Sequence, residues 1–415
     1  MERRTVAPGG AAIAMGHCPN GTETEESHAM KLTCLPEKLA EGLSTVGRVV
    51  SSRSTLPVLG NILLQTDGGQ LKLAATNLEL AVSCRVGAKV EAEGAITLPA
   101  RLLIDYVGLL TAGEPLMIDV RGKKAHLQSG RFEANISGID AEDFPPIPSV
   151  GGGASLKVKA AVLKEAIQQV VFAAAPDDSR PVLAGVLLTV KDGKLTLAAA
   201  DGFRLAVRKV DLGESGAGQD VPAGDLSMIV PARALTEVAR GLPSDEDEVV
   251  EIAATPDLNQ VLFRHAQAEI VSRLIEGQFP DYNRIIPRES KTRVTLQTAD
   301  FLRNTKAAQV FARDNSMIVR LQLSPAEGAD ASLGRVTVAA TSSEIGDYTG
   351  EVDAAVEGEA LQVAFNGRYL RDALEALDAQ QAYLEVTGPA SPGVLRPASG
   401  PNGYLHVIMP MHVSR

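Results

Sequence analysis

Tryptophan is absent from this 415-residue chain, and aromatic residues of all kinds make up only 4%. Its cores must therefore rest on Leu, Val, Ala and Ile, drawn from a 45% hydrophobic composition. Also missing is any run of about 18 uncharged apolar residues, which excludes a membrane-spanning helix. Cysteine is scarce. Cys18, Cys34 and Cys84 are odd in number and lack metal-ligand spacing, as expected of free thiols in a reducing cytoplasm. The six histidines are scattered, with no HExxH pair and no GxxxxGK[ST] phosphate loop, and no Ser or Cys nucleophile motif occurs. Basic charge is in deficit: 40 Lys and Arg against 51 Asp and Glu give a net charge of −11. That excludes an all-over basic surface but not a basic face concentrated on one side.

These absences bear on catalysis. A metal-dependent nuclease, the alternative kept open here, needs carboxylates arranged around divalent ions. The acidic candidates are Asp245 to Glu248, Asp177-Asp178 and Asp140 to Asp143. The first follows Pro243-Ser244 after a helical pattern and reads as a solvated loop. Gly151-Gly152-Gly153 is followed by Ala-Ser, lacks a Lys and reads as linker. The expectation is a protein that is not an enzyme, with no cofactor and no metal.

What the chain does have is internal repetition. PVLGNILL at 57–64 returns as PVLAGVLL at 181–188, 124 residues later. Each runs into a hairpin pattern around Asp67-Gly68 or Asp192-Gly193, turn dipeptides flanked by alternating apolar residues. A diverged third copy begins at Val319, its hairpin loop swollen by an Ala/Gly/Ser-rich insert at 325–333. LPAR (98–101), VPAR (230–233) and FNGR (365–368) each open an amphipathic helix, at 99–110, 231–241 and 367–377, and each is followed by a strand pair. Earlier helices are expected at 36–49, 160–173 and 299–312. One unit thus reads as helix, strands, helix, strands. The chain divides into an extension at 1–29 (either disordered or upstream of the true start, Met30), then units at 30–149, 150–286 and 287–415. Pro-rich linkers, FPPIPSVGGGAS and FPDYNRIIPRESK, join the units. Head-to-tail units with equivalent interfaces close into a ring or polymerise.

The helical segments carry a basic pattern. Arg303, Lys306 and Arg313 project to one face, as do Arg233 with Arg240 and Arg368 with Arg371. Arg101, Arg233 and Arg368 recur at the same point of all three repeats. Lys and Arg on such faces suit contacts to phosphates, which are independent of base sequence and weakened by salt.

RSTLPVLGNILL (53–64), LPARLL (98–103), ADGFRLAV (200–207), VPARAL (230–235), FPDYNRIIP (279–287), FNGRYLRDAL (365–374) and VIMPM (407–411) occur in order. Together they resemble the bacterial DNA sliding clamps, the beta subunit of DNA polymerase III. The resemblance spans about residues 30–413 and implies an α+β fold of three similar clamp domains per chain. Each domain has two helices packed on antiparallel sheets, and a chain forms half of a six-domain ring. It implies a head-to-tail homodimer around double-stranded DNA, held topologically and without sequence preference, and opened by a clamp loader complex. The replicative DNA polymerase, repair polymerases and mismatch-repair proteins would dock through short linear peptides. The setting would be the cytoplasm, at the nucleoid and replisome, with no membrane partner.

By the same resemblance Arg53, Arg101 and Arg233 contact DNA, and the loop at 176–180 (PDDSR) faces it. A peptide cleft between units two and three would be walled by Leu183, Gly202, Phe203, Arg204, Leu205, Pro280, Arg284, Ile285, Asn366, Tyr369, Val407, Met409, Pro410 and Met411, with Arg204 anchoring a peptide backbone or carboxylate. Phe132, Val310 and Phe311 are the candidates for the subunit interface. Phe203 stands where the family commonly has His, and His412-Val413 where it has Arg-Leu. This shifts the expected peptide preference toward larger apolar contact.

Overall fold

In a computed structural model, residues 30–51, 56–147, 154–177, 179–213, 225–243, 247–266, 268–313, 316–326, 333–399 and 403–412 are described. The described residues contain six α-helices, two per unit: α1 (Pro36–Gly47), α2 (Ala100–Val107), α3 (Ala160–Val170), α4 (Ala232–Gly241), α5 (Thr298–Ala312) and α6 (Gly367–Ala376). Their spacing of apolar residues explains them. Leu39, Leu43 and Val46 in α1, or Leu370, Ala373 and Leu374 in α6, recur at helical intervals and are buried. Each fully buried Leu or Val contributes about 1.5–3 kcal/mol relative to exposure. The helix expected at 99–110 is shorter, because the chain turns at Gly108 and reaches the left-handed Gly113 before Pro115.

Two corrections apply to the repeat. A strand precedes the first helix of each unit (Met30–Cys34, Ser155–Lys159, Thr292–Gln297), and three strands, not two, follow the second helix. In units two and three the third strand of the trio pairs across a unit boundary, so local alternation did not reveal it. The hairpin at Asp67 also shifts by one residue. Asp67 pairs with Gln70, and Gly68 and Gly69 take the two left-handed positions at φ +57 and +78. In unit two Asp192 and Gly193 occupy those positions themselves, at φ +51 and +71. Both are the doubly left-handed turns whose twist suits a hairpin. The swollen loop of the third copy lies largely outside the described residues.

The strands form antiparallel sheets of five, eight and twelve strands. Two seams join the units. Ala268–Arg273, the last strand of unit two, pairs with Leu80–Val86 of unit one, Ile270 opposite Val82. Tyr404–Ile408, the last strand of unit three, pairs with Arg204–Asp211 of unit two, His406 opposite Ala206. The same element thus crosses to the same element at both seams. The corresponding strand of unit one, Phe132–Ser137, ends the five-stranded sheet as a free edge among the described residues.

Candidate functional site

Along Arg204–Asp211 the side chains alternate between two interiors. Ala206 and Val210 face the main core, whereas Leu205 and Val207 face a separate cluster on the other side of the sheet. Leu183 and Val407 join that second cluster, so three of the expected cleft residues do form one apolar floor. The segment 279–286 crosses it: Phe279 is buried, and Tyr282 and Ile286 pack against it. Pro280 and Arg284 face solvent, Arg284 tied to Asp281 at 3.0 Å. Around the rim Phe203 is 59% exposed, Ile285 41% and Met409 38%. Pro410 and Met411 are half-buried, and His412 is exposed. The terminal segment lies along the Asp201–Arg204 turn, with the Met409 N–H donating to the Phe203 carbonyl at 2.9 Å and the Met411 N–H to that of Ala364 at 2.8 Å. Gly202 makes the turn possible: its φ is +92, and a Cβ there would meet Arg180 Nη1 at 2.9 Å.

Arg204 does not do what the sequence suggested. Its Nε donates to Asp201 at 3.1 Å, Nη1 to Asp372 at 2.8 Å and Nη2 to the Phe172 carbonyl at 2.6 Å. The guanidinium also lies 4.4 Å from the Tyr369 ring centroid and 5.4 Å from that of Phe172. With its side chain only 10% exposed, Arg204 fastens unit two to α6 and is no free anchor for a ligand. Tyr369 is half-buried against it, and burial raises its phenol pKa. Asn366 caps α6, its Oδ1 accepting from the N–H groups of Arg368 and Tyr369. Sequence reasoning missed Asp372 and Phe172 as partners of Arg204. It also missed Phe279, Tyr282 and Ile286, which the apolar spacing of FPDYNRII signals.

The basic candidates divide into two groups. Arg101, Arg233 and Arg368 are each the second residue of α2, α4 and α6, and all three are exposed. Arg101 has only a 3.9 Å contact to Asp105. A cation in the first turn opposes the helix dipole at a cost of about 0.3–1 kcal/mol, so its recurrence in three helices marks something other than helix stability. Arg313 is likewise exposed, at the end of α5. The others are held by carboxylates: Arg240 by Glu237, Arg303 by Asp300 and Lys306 by Glu375, at 2.6–2.8 Å. Arg371 is half-buried, 2.7 Å from Asp372 and 3.7 Å from Glu375, so it does not stand clear beside Arg368 as expected. In the loop expected to face DNA, Arg180 turns back to donate to the Asp201 carbonyl at 2.9 Å. Arg53 and Asp178 lie outside the described residues.

Of the interface candidates, Phe132 and Val310 are half-exposed, at 49% and 50%. Phe311 instead packs on the main core and stacks on Tyr348 at 5.9 Å.

Family models for the N-terminal, central and C-terminal domains of the DNA polymerase III beta subunit match residues 30–148, 157–281 and 283–412. The chain belongs to the DNA polymerase III beta subunit family. A beta sliding clamp of Synechococcus elongatus is 34% identical over 389 residues, covering 92% of this chain and all of that one. The crystal structure of the Bacillus subtilis DNA polymerase sliding clamp has a TM-score of 0.85 at 28% identity, over 94% of this chain and all of that one. The Pseudomonas aeruginosa sliding clamp bound to griselimycin has a TM-score of 0.84 at 29% identity, over 93% of this chain and all of that one.

As a sliding clamp the chain is a non-catalytic processivity factor working with DNA and DNA polymerase, which sets the nuclease alternative aside. Among the described residues no group of three or more His, Cys, Asp or Glu is placed to hold a metal, and no helix is long and apolar enough to cross a membrane. The thiols of Cys34 and Cys84 are buried, and burial pushes both up to about 12. Such groups stay protonated and unreactive.

Proposed function

We propose that two copies of this chain close head to tail around duplex DNA and tether the replicative polymerase through the Phe203–Met411 cleft. The observation that carries this reading is the repetition of one seam. Each internal seam joins the last strand of one unit to the strand after the hairpin of the unit before it. Two partners are left over: the edge Phe132–Ser137 of unit one, and the stretch Gly346–Asp353 of unit three, which among the described residues pairs only with Gly334–Ser342. Pairing these two edges between copies uses the same junction a third time and yields a closed two-fold ring. Phe132 and Val310 flank that junction, and their exposure suits burial there.

The exposed Arg101, Arg233, Arg313 and Arg368, together with Arg53, are the phosphate contacts of this reading; Arg240, Arg303, Lys306 and Arg371 contribute less through their carboxylate partners. A clamp loader opens the ring, and repair polymerases and mismatch-repair proteins share the cleft, in the cytoplasm at the replisome. The test is topological. Protein loaded on nicked circular DNA should be retained and should be lost when the circle is linearised. Equal retention on both forms would refute the ring.

A further inference from the structure

The seam between units one and two repeats the construction of the one carrying the cleft, but with different side chains. Asn77 Oδ1 accepts from the N–H groups of Glu79 and Leu80, as Asp201 Oδ1 does from those of Phe203 and Arg204. Leu78 stands at φ +77 where Gly202 stands at φ +92. Arg273 N–H donates to the Glu79 carbonyl and Ile275 N–H to that of Ile229, both at 2.9 Å. These match the Met409 and Met411 bonds described above. Leu80 therefore occupies the place of Arg204, and Ala234, third residue of α4, the place of Tyr369, third residue of α6.

The Arg204–Tyr369 stack thus has no counterpart at this seam, and a groove of about 980 Å³ remains open there. Leu80, Pro181, Pro231, Ala234, Leu274 and Ile275 line it. No aromatic ring does, so it offers no platform for stacked nucleobases. These alkyl and proline side chains share the groove with polar residues that include Asn77, Thr236 and Gln260, and such a mixed lining suits an extended peptide with apolar side chains and backbone amides. Arg233 and Arg273 stand at its rim without an ion pair among the described residues. Asp257, by contrast, is engaged by Asn259. Glu79 and Glu276 share the lining, which matches one carboxylate on the ligand and opposes an acidic run. The groove is also continuous with the cleft: Ile275 packs on the apolar cluster of Leu183, Leu205 and Val407, and an adjoining depression runs from Ile275 to Phe279 of that cluster.

We propose that this groove is a second peptide-docking site, taking an extended segment with alkyl side chains and one carboxylate from a partner held at the cleft. The partner's identity rests on the cleft reading; occupancy of the groove does not. The test uses the full chain with methyl-labelled Ala, Ile, Leu, Val and Met, and the probe acetyl-Leu-Asp-Leu-amide at millimolar concentration. Saturable shifts are expected at the methyls of Leu80, Leu274 and Ile275. They should vanish in Ala234→Tyr, which refills the groove. In Arg273→Glu, an exposed change that spares the packing, binding should weaken about tenfold, as when a charge-assisted hydrogen bond is lost. An asparagine probe should lose the same factor against the unaltered chain. Groove shifts without any response at Met409 would support the groove and count against the cleft. Shifts confined to Met409 and Met411, equal shifts with octathymidylate, or shifts unchanged in both variants would overturn the proposal.

Discussion

Arg204 and Asp372 meet at 2.8 Å across the seam between units two and three, with side chains only 10% and 16% exposed. An ion pair so far from water is costly to form and costlier to break, because the survivor keeps its desolvation penalty. Arg204 retains Asp201 and the Phe172 carbonyl, but three acceptors fit the fork and two do not fill it. The pair therefore sets how Phe203 and the turn beneath it are held against α6.

Asp372→Ala should accordingly lower the unfolding free energy by about 3 kcal/mol, read by chemical denaturation. Glu237→Ala is the matched control at the corresponding place in α4. Its partner Arg240 is 59% exposed at 2.7 Å, and such pairs contribute less than about 1 kcal/mol. Equal losses in the two variants would remove the special standing of the seam pair.

Phe203 makes the opposite case. A ring 59% exposed stabilises the fold little, so Phe203→Ala should leave stability within about 0.5 kcal/mol of the parent. Binding of a polymerase-derived peptide, measured by calorimetry, should weaken by tenfold or more, as when an aromatic anchor is truncated at an interface. Unchanged affinity would move the docking site away from the turn.

The contrast shows which parts were legible in the sequence. The helices and the triplication follow from period and repetition, which reflect which face of an element is buried, whereas the floor residues Leu183, Leu205 and Val407 came from the family resemblance. What was hidden is which partner each strand or side chain finds. Nothing in YLHVI says that it pairs with RLAVRKVD some two hundred residues away, since alternation specifies a face and not a neighbour. Arg204 was misread for the same reason. Its neighbours Asp372 and Phe172 come from other elements, and a lone Arg beside an apolar run looks free until the fold surrounds it. The recurrence of Arg101, Arg233 and Arg368 was visible, as were Asp372 and Glu375 at i+1 and i+4 from Arg371 on one helix, but the Glu375 carboxylate that holds Lys306 from another helix became visible only in three dimensions.

That division among the basic residues predicts a graded response to salt. Each phosphate contact contributes about 0.9 to the slope of log K against log salt. Arg101→Ala, Arg233→Ala and Arg368→Ala should each reduce the slope for binding to duplex DNA by up to that amount. Arg303→Ala and Arg240→Ala should reduce it less, because Asp300 and Glu237 already compete for those cations. A uniform reduction across all five would show that the intramolecular pairs dissolve on DNA.

His406 gives the seam a dependence on pH. It is fully buried, its ring stacks on Phe172 at 5.6 Å, and neither ring nitrogen has a hydrogen-bond partner. Burial, with the nearby Arg204 charge adding to it, lowers its pKa from 6.5 to about 3. The unfolded chain therefore takes up a proton that the folded chain refuses. Stability from this group is fully present above pH 6.5 and is lost as pH falls toward 3, by about 1.4 kcal/mol per unit. His406→Phe keeps the stack and removes the linkage. Whatever its offset at neutral pH, its stability relative to the parent should rise by about 1.4 kcal/mol for each unit between pH 6 and pH 4. Denaturation curves at pH 6, 5 and 4 decide it: parallel trends in the two proteins would mean that the folded state protonates His406 after all, and that the seam admits water.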